Sequence, residues 1–152
     1  MSTYNKYRIP IPKELLQRID RNSSPAHIWS LRNAVDFIAP QNTPVLVAAD
    51  GVVVFVSDDS NVGGPDPSYW NTTNYITVKH SFGEYSRYDH LHHQSAKVRV
   101  GQQVQAGQEI ANVGMTGYTY IPHLHFQVFV FLLIEYNFWI GFDTIEIDDF
   151  IS

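Results

Sequence analysis

The chain has 152 residues, a formal net charge of −5 and no cysteine. Such a length suits one domain with its own core. The charge offers no broad basic surface for nucleic acid or anionic lipid, and the missing cysteines exclude disulfide scaffolds, thiolate metal sites and cysteine nucleophiles.

Nine Tyr, nine Phe and three Trp favour a mainly β fold with a well-filled core. The opening stretch "MSTYNKYRIPIPKELLQRID" has no apolar h-region, so no signal peptide is visible and the sequence alone reads as cytoplasmic. Pro12 followed by residues 13–19 predicts a short helix with Leu15, Leu16 and Ile19 on one face. Residues 43–49 and 51–56 are β-branched runs that meet at the turn dipeptide Asp50-Gly51. Residues 57–74 form a long polar loop rich in Gly and Pro; such a loop is mobile or functional. Strands are expected at 75–80, 84–90, 97–100, 109–113 and His123–Ile134.

Short, evenly spaced strands predict a mainly β, antiparallel sandwich or barrel-like sheet fold. "TPVLVAADGVVV" and "QQVQAGQEIANVG" look weakly alike, as a duplication would. The reading in segments is an N-terminal extension over about 1–25, a core over about 26–134 and a C-terminal extension over 135–152. The tail carries Asp143, Glu146, Asp148 and Asp149 and reads as an exposed acidic strand. The longest apolar run, 128–134, is far short of the roughly 20 residues that span a bilayer. No pattern specifies an oligomeric state.

Five of the seven histidines cluster, as His90, His92 and His93 in "YDHLHH" and as His123 and His125 in "PHLHF". Residues two apart in a strand share a face, so His123 and His125 project together while Leu124, Phe126, Val128 and Val130 face the core. An isolated HxH pair is more often two hydrogen-bonded structural histidines. His80 reads as structural, His92 and His93 as a solvated loop, and His27 alone as a surface histidine. Two imidazoles and a carboxylate suit a catalytic Zn²⁺ with one open position, and extra histidines nearby would move protons.

"GYTYIPHLHFQV", "YSRYDHLHH", "VRVGQQVQAGQEIANVGMTG" and "AVDFIAPQNTPVLVAADGVVVFV" together resemble the motif blocks of lysostaphin/LytM-like zinc metallopeptidases, in order over roughly residues 33–130. The resemblance implies an antiparallel sheet fold of the duplicated hybrid motif type with a groove, one Zn²⁺ per chain, endopeptidase action on short peptide bridges of the peptidoglycan type, and a periplasmic or extracellular setting. By position it implies Asp36 and His125 as metal ligands and His90 and His123 as the catalytic histidines that do not bind metal. The family's first ligand, in H-x-x-x-D, falls on Arg32, which cannot coordinate because it stays protonated. His27, nine residues before Asp36, is the expected replacement, reaching the metal from a loop bulged through residues 28–33. Asn42 stands where the family has glycine, and Asn tolerates a left-handed turn.

Two other readings compete. A peptidase-like module that binds or regulates without cutting would explain Arg32. "VGQQVQAGQEIA" also resembles biotinyl and lipoyl carrier domains, but no lysine stands in the required turn. The residues of the 57–74 loop best placed to meet a substrate are Tyr69 and Trp70; the alternative is that they pack the loop down.

Overall fold

The computed structural model describes residues 2–21, 31–134 and 139–151. Its described strands are β1 (Arg18–Asp20), β2 (Val35–Ile38), β3 (Pro44–Leu46), β4 (Gly51–Ser57), β5 (Gly63–Gly64), β6 (Tyr75–Lys79), β7 (Tyr85–Asp89), β8 (Gln103–Val104), β9 (Glu109–Asn112), β10 (Gly117–Tyr118), β11 (His123–Ile134) and β12 (Trp139–Ile145).

The main sheet runs in the order β1-β2-β11-β7-β6-β4-β8 and is antiparallel throughout. Among the described residues it stays open and forms no closed barrel. β11 is its spine. β7 occupies one edge of β11 over residues 125–129, while β2 and then β12 share the other edge. The alternation of β11 sets what each face does. Leu124, Phe126 and Val128 are fully buried, and Phe126 meets the rings of Tyr7, Phe37, Tyr88 and Phe150 at centroid distances of 5.2–6.4 Å. Burying one such side chain stabilises by about 1.5–3 kcal/mol.

The two similar segments lie against each other. β3 of the first pairs with β9 of the second, and β4 pairs with β8. The Asp50-Gly51 turn therefore joins strands of different sheets. Gly51 has no room for a side chain: an added Cβ would lie 2.3 Å from the Lys79 carbonyl oxygen.

Two expectations fail. Residues 13–19 do not form a helix; only Lys13–Leu15 makes a single 3-10 turn, and β1 follows. A free edge of β2 captures the chain, the Gln17 N–H donating to Ile38 O at 2.8 Å. Sheet pairing then outweighs the propensity of a helix too short to persist alone. Leu15 and Ile19 are left exposed. Residues 97–100 make no strand either: Lys97 N–H bonds to Ile110 O, and the chain then turns at Gly101 with φ 91°.

The terminal segments are woven into the core. Tyr7, Ile11 and Ile147 are buried in the main apolar cluster, and Arg8 N–H bonds to Ala48 O at 2.8 Å. Buried Glu84 accepts from the Tyr4 and Asn5 backbone N–H groups, from Asn5 Nδ2 and from Tyr7 Oη. The acidic tail is tied down too: Asp143 of β12 takes two 2.8 Å bonds from the Arg32 guanidinium, and Thr144 O accepts from Asn33 Nδ2.

His80 is buried beside this frame, with Nδ1–H donating to Asp50 O at 2.7 Å and Nε2 2.7 Å from Ser86 Oγ. Burial outweighs the Asp50 hydrogen bond and holds its pKa below the usual 6.5. Below that pH the unfolded chain takes up a proton that the folded chain refuses, so this contribution is present at neutral pH and is lost as pH falls. Urea unfolding between pH 7.5 and 5 should show falling stability. His80→Gln should remove up to about 1.4 kcal/mol per pH unit of that slope; an unchanged slope would contradict the assignment.

Candidate active site

Strand register assembles the site. Across the sheet Asp36 pairs with His125, and His125 pairs with Asp89. His123 stands two residues before His125 on the same face, and His90 sits one residue past the end of β7. All are buried except half-buried His90. His123 Nε2 is 3.7 Å and His125 Nδ1 is 3.3 Å from Asp36 Oδ1. The His90 ring lies 4.7 Å from that of His123 and 5.9 Å from that of His125. Thus four of the five residues singled out in the sequence, from three separate segments, meet in one place. The fifth, His27, lies outside the described residues.

The hydrogen bonds fix which nitrogen of each ring carries the proton. His90 Nδ1–H donates to Thr116 O at 2.7 Å, and His123 Nδ1–H donates to Ile121 O at 2.8 Å. Both rings therefore present Nε2 as a proton acceptor. His125 has the opposite arrangement: its Nε2–H donates to Gln127 Oε1 at 2.9 Å. Its Nδ1 lone pair then points at Asp36 Oδ1, and two lone-pair atoms 3.3 Å apart need a proton or a cation between them. The arrangement fits a metal held by His125 Nδ1 and the Asp36 carboxylate, with Gln127 orienting the ring from behind. Among the described residues no three His, Asp or Glu side chains form a complete cage.

The electrostatics divide the histidines further. Burial, then the neighbouring His123 and His125, push the His90 pKa down to about 3. Burial also disfavours charge on His125, but the hydrogen bond and charge of Asp36, helped by Asp89, win and raise its pKa. Buried Asp89 stays ionised because the charge and hydrogen bonds of Arg87 overcome its burial. Arg87 donates to it through Nε at 2.8 Å and Nη2 at 2.9 Å.

His90 is held by unusual backbone. Its φ is 64°, a left-handed conformation that costs a non-glycine residue on the order of 1 kcal/mol. Thr73 Oγ1 accepts from His90 N–H, and Gly114 N–H donates to His90 O. Gly117, at φ 83°, brings the backbone close: a Cβ there would sit 2.6 Å from Thr73 Cβ and 3.1 Å from His90 Nδ1. Asn42 adopts the left-handed turn with φ 71°.

A pocket of about 250 Å³ opens above these groups, lined by His90, His125, Asp89, Trp70 and Tyr118 among others. The 57–74 loop forms its rim. β5 in that loop pairs in parallel with β10, and Trp70, 47% exposed, leans toward Tyr118. A second hollow, bordered by Phe55, Tyr75, Tyr85, Phe129 and Phe131, adjoins the first at Arg87 and Gln127.

Arg87, Asp89, Thr116 and Gln127 escaped the sequence reading. Asp89 lies inside "YDHLHH" and Gln127 two residues past His125, on its face. Only the pairing of β11 with β7 makes that parity meaningful.

The family model for peptidase family M23 matches residues 30–132. The chain belongs to peptidase family M23. It is 35% identical over 101 residues to the DD-carboxypeptidase/endopeptidase Mpg of Neisseria meningitidis serogroup B, covering 66% of this chain and 20% of that protein. It is 32% identical over 125 residues to the peptidoglycan DD-endopeptidase ShyA of Vibrio cholerae, covering 78% of this chain and 26% of that protein. The fold is similar to that of a zinc-containing peptidase from Vibrio cholerae, with TM-score 0.58, 30% identity, and coverage of 82% of this chain and 36% of that one. It is also similar to the catalytic domain of lysostaphin from Staphylococcus simulans, with TM-score 0.50, 34% identity, and coverage of 63% and 65%. The M23 chain thus spans a fifth to a quarter of the length of these curated relatives.

Proposed function

We propose that this M23 chain is a zinc-dependent endopeptidase that cuts peptide cross-links of peptidoglycan, and therefore acts outside the cytoplasm. The observation that carries the reading is the opposed tautomers of the three histidines. One imidazole offers Nδ1 toward a carboxylate, as a ligand would, and two offer Nε2, as proton acceptors would. Asp36 and His125 would hold Zn²⁺, with His27 proposed as the third ligand. When bound, Zn²⁺ supplies Lewis acidity, acidifying water and polarising the scissile carbonyl.

Of the other two, His123 would serve as the base, because its Nε2 stands 3.7 Å from Asp36 Oδ1, beside the carboxylate that would hold the metal and its water. It would take the proton of the attacking water and pass it to the leaving amine. His90, with its low basicity and its Nδ1–H committed to Thr116 O, has no hydrogen on Nε2. It would accept hydrogen bonds and orient the water or the substrate N–H. Donation to the oxyanion would need a proton it does not hold at neutral pH.

One observation favours the competing reading, a module that binds without cutting. Arg32 occupies the usual first-ligand position and is tied to Asp143 in two places. The test is cleavage of purified cross-linked peptidoglycan fragments with and without a zinc chelator. Cleavage that stops with chelation and returns with added zinc is expected; full activity in chelator, or none with zinc, would contradict the endopeptidase reading.

A further inference from the structure

Gln127 and Arg87 oppose each other across β11 and β7, one row along from His125 and Asp89 on the same face. Part of each polar group is already committed. Gln127 Oε1 accepts from His125, and Arg87 spends Nε and Nη2 on Asp89. The Arg87 guanidinium is also fixed from beneath, its carbon 3.7 Å from the centre of the Tyr75 ring. Gln127 Nε2 and Arg87 Nη1 remain, and neither has an acceptor among the described residues. Neither is sealed in protein, because every described buried side-chain N or O atom has a partner. Gln127 is only 3% exposed, so its amino group meets solvent through the cleft. Both residues line both hollows. At the junction Gln127 and Arg87 therefore present these two N–H donors side by side.

We infer that Gln127 Nε2 and Arg87 Nη1 form a subsite for a carboxylate carried by the substrate beside the scissile bond. This rests on the endopeptidase reading and narrows it, toward peptides with an acidic group next to the cut and away from an all-glycine bridge. Several facts support a carboxylate. Charge-assisted N–H bonds are short and strong, and an Arg with a neighbouring amide matches two oxygens. With a divalent cation held by Asp36, the cation and Arg87 outweigh the two buried carboxylates, so an anion is welcome there. Same-face neighbours along a strand are about 7 Å apart, within side-chain reach of the residue next to the bond being cut. Gln127 also couples the two functions, since the amide that meets substrate is the one that orients the His125 ring.

The test is calorimetric binding to the zinc-loaded His123→Ala chain, using acetyl-alanyl-alanine and its C-terminal amide as probes. The carboxylate probe should bind at least about 10-fold more tightly, as hydrogen bonds to a charged group provide. Arg87→Lys, which keeps a cation for Asp89, and Gln127→Glu, which keeps an acceptor for His125, should each bring the ratio near one. The amide probe is the reference within each variant, and zinc content and melting temperature are followed in every one. A preference that survives both substitutions would place the carboxylate on the metal and overturn the subsite, as would no preference at all. Binding preference with no cleavage of cross-linked fragments by the unsubstituted zinc-loaded chain would keep the subsite and remove the endopeptidase reading. Cleavage indifferent to the carboxylate would do the reverse.

Discussion

Replacing His123 by alanine should leave zinc in place and lower turnover by roughly 10²–10⁴-fold, the range for loss of a general base. Replacing His125 should remove metal and turnover together. The two residues stand two apart on one strand face and both approach Asp36 Oδ1. Proximity alone would predict similar consequences. The difference lies in which nitrogen faces the site. Ile121 O holds the His123 proton on Nδ1, while Gln127 Oε1 holds the His125 proton on Nε2. Zinc content by elemental analysis and turnover on a cross-linked fragment separate the roles. Two variants that both keep zinc, or both lose it, would refute the division.

Glu84→Gln should destabilise the fold by roughly 3–5 kcal/mol, among the larger effects of a single substitution. Glu84 is fully buried and takes hydrogen bonds from four donors of the first seven residues. The amide keeps one acceptor oxygen and turns an N–H₂ toward those donors, leaving part of the set unsatisfied. For a chain of this size the loss lowers the melting temperature by roughly 10 °C. Exposed Glu109→Gln, which loses only a surface pair with Lys97, should shift stability by less than about 1 kcal/mol. Equal melting temperatures for the two variants would show that the N-terminal segment is not anchored as described.

The contrast between His123–Ile134 and the N-terminus shows what the sequence could reveal. The long strand was legible to both of its ends, because polar 123, 125 and 127 alternate with apolar 124, 126 and 128 and a β-branched and aromatic apolar run then continues to Ile134. The dry and polar faces follow from that pattern alone. The short helix was misread because nothing local announces that the edge of β2 will capture residues 17–20. The turn at Asp50-Gly51 was legible, but a turn dipeptide says where the chain reverses and not which sheets it joins. In the site, the histidines and Asp36 were visible through motif order. Arg87, Asp89 and Gln127 were not, since their importance comes from cross-strand register. The acidic tail reads as solvated until β12 is set beside β11, which places Asp143 against Arg32.

The central claim is that Asp36 and His125 share a metal ion. A crystal grown with zinc, with diffraction recorded on both sides of the zinc absorption edge, tests it most directly. One anomalous peak within about 2.0–2.2 Å of both Asp36 Oδ1 and His125 Nδ1 is expected, with His123 and His90 near it but outside bonding distance. Ordered density for both side chains with no anomalous peak between them would contradict the account.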